Sequence, residues 1–143
     1  MAAMSLKDAM EVLGRVPLFA GCSRRELETV ARAAKPVEHR TGSVVAREGD
    51  PGVGLFVIVD GTAEVTIGGR RKARLGPGDY FGEIALLDGG PRTATVTATS
   101  DLRMLGLTEW VFRGLMQQHP SIAIKTLEAM AGRLREATGA PTA

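Results

Sequence analysis

The sequence predicts a mainly β chain with flanking helices, its strands forming a closed or rolled antiparallel structure. Three observations predict it. Between Val37 and Leu107, roughly six to eight short apolar or alternating runs are separated by glycine-rich turns. In one of them Ala94, Val96 and Ala98 alternate with Thr93, Thr95, Thr97 and Thr99, the period of a half-buried strand. Before Pro36 and after Thr108 the apolar spacing changes to the three- and four-residue steps of helices.

Taken in order, residues 5–15 read as a helix with Leu6, Met10 and Leu13 on one face, Ser5 as N-cap and Pro17 as its stop. Val16-Pro17-Leu18-Phe19 is an apolar connector. A second helix over 24–34 opens on a capping box, Ser23 with Glu26, and carries the stripe Leu27, Val30, Ala31 and Ala34 until Pro36 stops it. Val37–Arg40 and Ser43–Arg47 read as short strands, and Glu48-Gly49-Asp50-Pro51-Gly52 as a turn. Leu55–Val59 is a continuous apolar run, short enough for a buried strand. Asp60-Gly61 and Gly68-Gly69 carry hairpin signals around the alternating strand Thr62–Ile67. Arg70–Leu75 returns as a basic strand, read as an edge that charge guards against further pairing. Gly76-Pro77-Gly78-Asp79 turns again, and Leu102–Leu107 is the last strand. Thr108 caps a helix over 109–118 with Trp110, Val111, Leu115 and Met116 inward. A final helix begins at Pro120, is striped by Ile124, Leu127, Ala131 and Leu134, and ends at Gly139 and Pro141. Gly132 within it marks a close contact or a flexible point.

With 143 residues, 44% of them hydrophobic, the chain has the size of one domain with a real core. A net charge of +2 is not a nucleic-acid-binding composition. The one cysteine, Cys22, allows no intramolecular disulfide and fits a reducing, cytoplasmic compartment. No window approaches the roughly 18 apolar residues of a membrane span. The opening MAAMSLKDAM has no apolar signal core.

The chemistry is concentrated in residues 81–96. Gly82 allows a turn or a close approach of backbone to ligand. Glu83 to Leu87 reads as one short helical turn ended by Gly89-Gly90, and the first amides of such a turn converge on an anion. Arg92, beyond the Gly-Gly-Pro loop, offers the planar fork that suits phosphate oxygens. Glu83 is an acceptor only, so it should take a hydroxyl of the same ligand. An anion clamp with a built-in hydroxyl acceptor describes a sugar phosphate.

FGEIALLDGGPRTATV also resembles the phosphate-binding cassette of the cyclic nucleotide-binding domain family, with Gly82 and Glu83 matching its Gly-Glu pair and Arg92, Thr93 and Ala94 its Arg-Ser/Thr-Ala triplet. Similarity extends over about 16–137, through Pro17-Leu18-Phe19, Arg47–Val65, Gly76–Glu83 and the C-terminal helices, which stand where the family has its B and C helices. The resemblance implies an antiparallel β-roll, a jelly-roll-like double sheet with N-terminal helices and C-terminal B and C helices. It implies that Gly82, Ile84 and Ala85 offer backbone groups to a cyclic phosphate, that Arg92 binds it, and that Glu83 takes the ribose 2′-hydroxyl. Thr93 would touch the phosphate and can meet a guanine amino group. A regular strand would point it away from Arg92 and Ala94, so the role requires an irregular strand start after Pro91. By the same resemblance C-helix side chains cover the base, and Arg133, Arg135, Ala137 and Thr138 are within reach of that role.

Enzyme signatures are missing: there is no GxSxG, no Walker loop and no HExxH. No catalytic or metal-binding residue is assigned. His39 and His119 stand far apart, without the His-rich motif of a cupin-like jelly-roll enzyme, the reading from another class. Nothing after Thr138 is long enough for a helix-turn-helix, so no direct DNA binding is expected. The sequence therefore points to one cyclic nucleotide-binding domain over 1–143, a sensor taking cyclic AMP or cyclic GMP as ligand and no cofactor. It would act on a protein effector in cis or in trans, either as a stand-alone module or as the regulatory part of a channel, kinase or other effector.

Overall fold

The computed structural model of the chain describes residues 4–51, 54–88 and 90–139. Gly52, Gly89 and Pro141, given turn or stop roles above, lie outside them. The N-terminal end is built from two capped helices. α1, Leu6–Gly14, starts where the Asp8 N–H donates to Ser5 Oγ at 3.1 Å, and it buries Ala9 and Leu13. A single 3₁₀ turn, Pro17–Phe19, then drives Leu18 and Phe19 into the core. α2, Arg24–Ala33, carries both halves of its capping box: Glu26 N–H donates to Ser23 Oγ and Ser23 N–H to Glu26 Oε1.

Eight strands follow, in two antiparallel sheets of four. They are β1 (Lys35–His39), β2 (Val44–Ala46), β3 (Gly54–Asp60), β4 (Ala63–Ile67), β5 (Arg70–Leu75), β6 (Tyr80–Phe81), β7 (Thr95–Ala98) and β8 (Leu102–Thr108). One sheet has the order β1-β8-β3-β6 and the other β2-β7-β4-β5, the double sheet of a β-roll. The first sheet is a middle layer. Leu55, Val57, Leu105 and Leu107 face the helices, while Ile58, Leu102 and Met104 face Ala63, Val96 and Ala98 of the second sheet. Burial on both faces is why the β3 run is continuously apolar while β7 alternates.

Three strand expectations are corrected. β1 begins at Lys35 and contains Pro36; as an edge strand it pairs only with β8, so the missing N–H breaks no second ladder. Asp60-Gly61 is not a hairpin, because β3 and β4 lie in different sheets. It is the corner between them: Gly61 has φ +96°, and a Cβ there would stand 2.2 Å from the Asp101 carbonyl oxygen. The β7–β8 turn clasps this corner through Thr62 N–H to Ser100 Oγ, 2.9 Å, and Thr99 N–H to the Thr62 carbonyl, 3.0 Å. β6 has no alternation to announce it and forms by pairing Tyr80 and Phe81 with Val57 and Phe56. Gly68-Gly69 does join the β4–β5 hairpin, whose ladder slips beside Lys72.

The helical periodicities place the C-terminal elements and misplace two faces. In α4, Glu109–Gln118, Thr108 caps as expected, its Oγ1 accepting from Val111 N–H. Trp110, however, is 85% exposed, and Phe112 is the buried residue, edge-on to Phe19 with ring centroids 5.8 Å apart. Phe112, Leu115 and Met116 form the inward i, i+3, i+4 set. In α5, Pro120–Thr138, the stripe Ile124, Leu127, Ala131 and Leu134 faces solvent. The body instead receives Ile122 and Thr126. Polar ties select this face, because Lys125 hydrogen-bonds Glu26 of α2 and Arg133 pairs with Glu83. Gly132 has open space where a Cβ would stand, so it marks no close contact. Among the described residues no helix is long and apolar enough to cross a membrane.

Candidate functional site

The site forms where β6 gives way to α3, Glu83–Asp88, and where the chain returns toward β7. Gly82 makes the junction at φ +84°. The first backbone bond of α3 runs from Leu86 N–H to the Gly82 carbonyl at 3.0 Å, so the amides before it stand outside the helical ladder. Leu86 is fully buried and anchors the turn, Ala85 is buried beside it, and the Ile84 side chain is exposed.

Arg92 is pinned by its backbone. Its N–H donates to the Asp50 carbonyl at 2.7 Å, and its carbonyl accepts from Gly49 N–H at 2.8 Å. The Glu48–Pro51 turn is thus the splint of the cassette, closed by a bridge between Pro51 and Pro91. The guanidinium donates from Nη2 to the Gly54 carbonyl, 3.1 Å, and lies 5.9 Å from the centre of the Phe56 ring. Phe56 in turn stacks on Phe81 at 5.5 Å. Among the described residues no carboxylate lies within ion-pairing distance of Arg92. Burial pushes its pKa below the ordinary arginine value, the mark of a half-buried cation without a counter-ion.

Glu83 is buried, one carboxylate oxygen paired with Arg133 and the other, Oε2, accepting no hydrogen bond. Thr93 and Ala94 fall in a bend before β7 starts at Thr95, so strand alternation does not fix the direction of Thr93. Gly82, Glu83, Ile84, Ala85, Arg92, Thr93 and Ala94 all line one open cavity of about 580 Å³, with Val65, Tyr80 and Phe81 among the apolar walls. That is the size of a small-molecule site.

The four residues named for a lid, Arg133, Arg135, Ala137 and Thr138, do not line this cavity. Arg133 reaches Glu83 instead. Arg135 and Thr138 are exposed, and Thr138 Oγ1 donates to the Arg135 carbonyl of its own helix. Gly54 and Phe56 are site residues that the sequence reading missed. Phe56 sits inside a run legible only as core, and nothing in the sequence marks its pairing with Phe81 of the cassette. Among the described residues no group of three or more His, Cys, Asp or Glu could hold a metal ion.

The model of the cyclic nucleotide-binding domain matches residues 36–119. The chain is 30% identical over 133 residues to the CRP-like cAMP-activated global transcriptional regulator of Mycobacterium tuberculosis, covering 87% of this chain and 58% of that protein. It is 35% identical over 113 residues to a cyclic nucleotide-gated potassium channel of Mesorhizobium japonicum, covering 79% of this chain and 31% of the channel. The chain therefore spans less than two thirds of either relative. Its structure is similar to the N-terminal domain of a transcriptional regulator from Streptomyces coelicolor, with a TM-score of 0.84, 32% identity, and coverage of 90% and 93% of the two chains.

Proposed function

The chain belongs to the cyclic nucleotide-binding domain family, and from that premise we propose that it is a regulatory sensor that reversibly binds a 3′,5′-cyclic nucleotide, cyclic AMP in preference to cyclic GMP, and catalyses nothing. One observation carries the reading: Arg92, a half-buried cation with no carboxylate partner among the described residues, and Glu83, a buried carboxylate with an open oxygen, line the same cavity. The cyclic phosphate would lie between the Arg92 fork and the leading amides of α3, where a charge-assisted bond is worth about 1.5–3 kcal/mol. Glu83 would accept the 2′-hydroxyl, the one ribose hydroxyl a 3′,5′-cyclic nucleotide leaves free. Thr93, released from the strand, is free to serve the phosphate as a second donor.

Preference for cyclic AMP is supported by the mycobacterial relative, which is cAMP-activated. The protein works as one domain with its core over about 16–137, in the cytoplasm, and needs no cofactor. Output goes to a protein effector through rearrangement of α5. That effector stands in trans, or in the same polypeptide as in the channel relative.

Calorimetric titration with cyclic AMP and cyclic GMP tests the reading. Saturable binding is expected, weakened at least about tenfold in Arg92→Ala. Unchanged affinity in that variant sinks the assignment. Amide exchange over residues 120–138 should change on ligand addition; identical protection with and without ligand removes α5 from the mechanism.

A further inference from the structure

The β4–β5 hairpin carries a charge that nucleotide binding does not use. Arg70, Arg71, Lys72 and Arg74 are all exposed, and the run from Arg70 to Arg74 contains no acid. These four cations exceed the formal net charge of the whole chain, +2, so the rest of the molecule is on balance acidic. Among the described residues none of the four enters an ion pair, although Glu64 stands directly opposite Arg74 in the ladder. Glu48 is engaged elsewhere: its Oε1 accepts from Gly68 N–H at 3.0 Å, which ties the hairpin tip to the Glu48–Pro51 turn. The tip, Gly68-Gly69, has nothing within 4 Å of where either Cβ would stand, and Ile67 beside it is 42% exposed.

The register sets these groups around the end of a ribbon. Ala63, Val65 and Leu75 pack into the core between the sheets, and Ile67 with its partner Arg70 continues that face past the end of the core. Arg71 and Arg74, opposite Thr66 and Glu64, lie on the other face, and Lys72 sits where the ladder slips. Cations therefore stand on both faces of a protruding tip, with an exposed apolar side chain among them. We propose that this tip docks the protein on an anionic lipid surface, its cations among the headgroups and Ile67 at the edge of the acyl layer. Guarding an edge strand asks for charge alone, and an exposed isoleucine at the tip works against that task. A sheet of fixed negative charge accepts cations from both faces of a ribbon end, whereas a folded acidic partner meets one face. A nucleic acid would call for an aromatic ring to stack on its bases, and neither β4 nor β5 carries one. Each basic side chain brought to such a surface strengthens attachment roughly fivefold. The Glu48 clasp holds the tip in place beforehand, so little ordering is left to be done on docking. The surface is separate from the nucleotide cavity and stands whatever ligand that cavity takes.

Flotation of the full chain with lipid vesicles tests the proposal, using phosphatidylcholine alone and phosphatidylcholine mixed in equal parts with phosphatidylglycerol. Binding is expected to the mixed vesicles and not to the neutral ones. It should fall steeply as salt shortens the Debye length from about 30 Å to about 3 Å. Arg71→Gln with Arg74→Gln should weaken partition at least about tenfold. Arg24→Gln with Arg25→Gln removes the same charge from exposed positions on α2 and should change it less than about threefold. Ile67→Ser should weaken partition at least about threefold with no change in charge. All these positions are exposed or partly so, and thermal unfolding at the wild-type temperature shows that each variant is folded. If the double variant on β5 unfolds early, Lys72→Gln is read in its place, with an expected loss of roughly fivefold. Equal partition into neutral and mixed vesicles overturns the proposal. So does an unchanged partition in the β5 variant, or an equal loss in the α2 variant, which would reduce the effect to net charge. Poly-glutamate and a single-stranded oligonucleotide are run as competing partners; tighter binding to either than to the mixed vesicles assigns the tip to that partner and overturns the lipid surface.

Discussion

Two atoms meet over Gly82: the carbonyl oxygen of Gly54 and a guanidinium nitrogen of Arg92, each 2.2 Å from where a Cβ would stand. The residue also sits at φ +84°, where a side chain is strained whatever the space. Gly82→Ala must therefore move Arg92 or the β3 backbone. It is expected to cost more than about 1 kcal/mol in thermal unfolding and to weaken nucleotide binding at least as much as Arg92→Ala; a variant that binds as wild type refutes this packing. Glu83 and Arg92 are legible in the sequence because their chemistry is local: an acceptor and a fork, separated by one helical turn and a glycine loop. Gly54 and Phe56 are not, because only the pairing of β3 with β6 brings them under Arg92. Contacts made across a sheet leave no pattern in the residues that make them. Thr93 is intermediate, since its alternation with Ala94 is real in the sequence and the irregular start of β7 overrides it.

Elements show the same division between pattern and partner. The periodicity of α5 correctly announces a helix, yet its strongest apolar stripe points outward, with Leu127 69% exposed and Ile122 fully buried. Ile122→Ala should accordingly cost about 2–5 kcal/mol in urea unfolding, whereas Leu127→Gln should stay within about 0.5 kcal/mol; the reverse order would return the stripe to the core. Periodicity reports amphipathicity but not which face a polar tie draws inward, and here the ties run from Lys125 and Arg133. The first has a pH signature. The Lys125 ammonium, then the Ser121 hydroxyl and the Ser23 backbone, hold the Glu26 carboxyl at about 2, below its ordinary 4.5. A folded-state pKa below the unfolded one stabilises above the unfolded value and loses that contribution as pH falls toward the folded value. Stability should thus decline between pH of about 4.5 and 2 through this contact. Unfolding midpoints compared at the two ends of that window should show a shallower fall in Glu26→Gln than in wild type; equal slopes would remove the contact from the acid transition.

At the scale of the molecule, the helices, the middle sheet and the outer sheet form three layers, and the cavity opens where the outer sheet meets the cassette. A rolled antiparallel β-core with helices at both ends was legible from strand spacing and caps, and its division into a double sheet from the family resemblance; the corner at Gly61 was not, because a tight turn looks alike whether its strands pair or part. A ligand held only by the folded state stabilises it by about 2.7 kcal/mol at a hundred times its Kd. For a chain of this size that should raise Tm by roughly 5–10 °C. Scanning calorimetry at one fixed cyclic AMP concentration should show the rise in wild type and little of it in Arg92→Ala; an equal rise in both would place the ligand elsewhere. The two sheets also have four open edges. β1 carries Pro36 within it, β6 is two residues long, β2 is three, and β5 presents Arg70, Arg71, Lys72 and Arg74 beside a slipped register. Three means guard the four edges against a further strand: a lost donor at β1, too short a ladder at β2 and β6, and like charge at β5. A roll built from sheets with free edges is in this way closed to fibre growth, and the chain can be concentrated without its strands recruiting those of its neighbours.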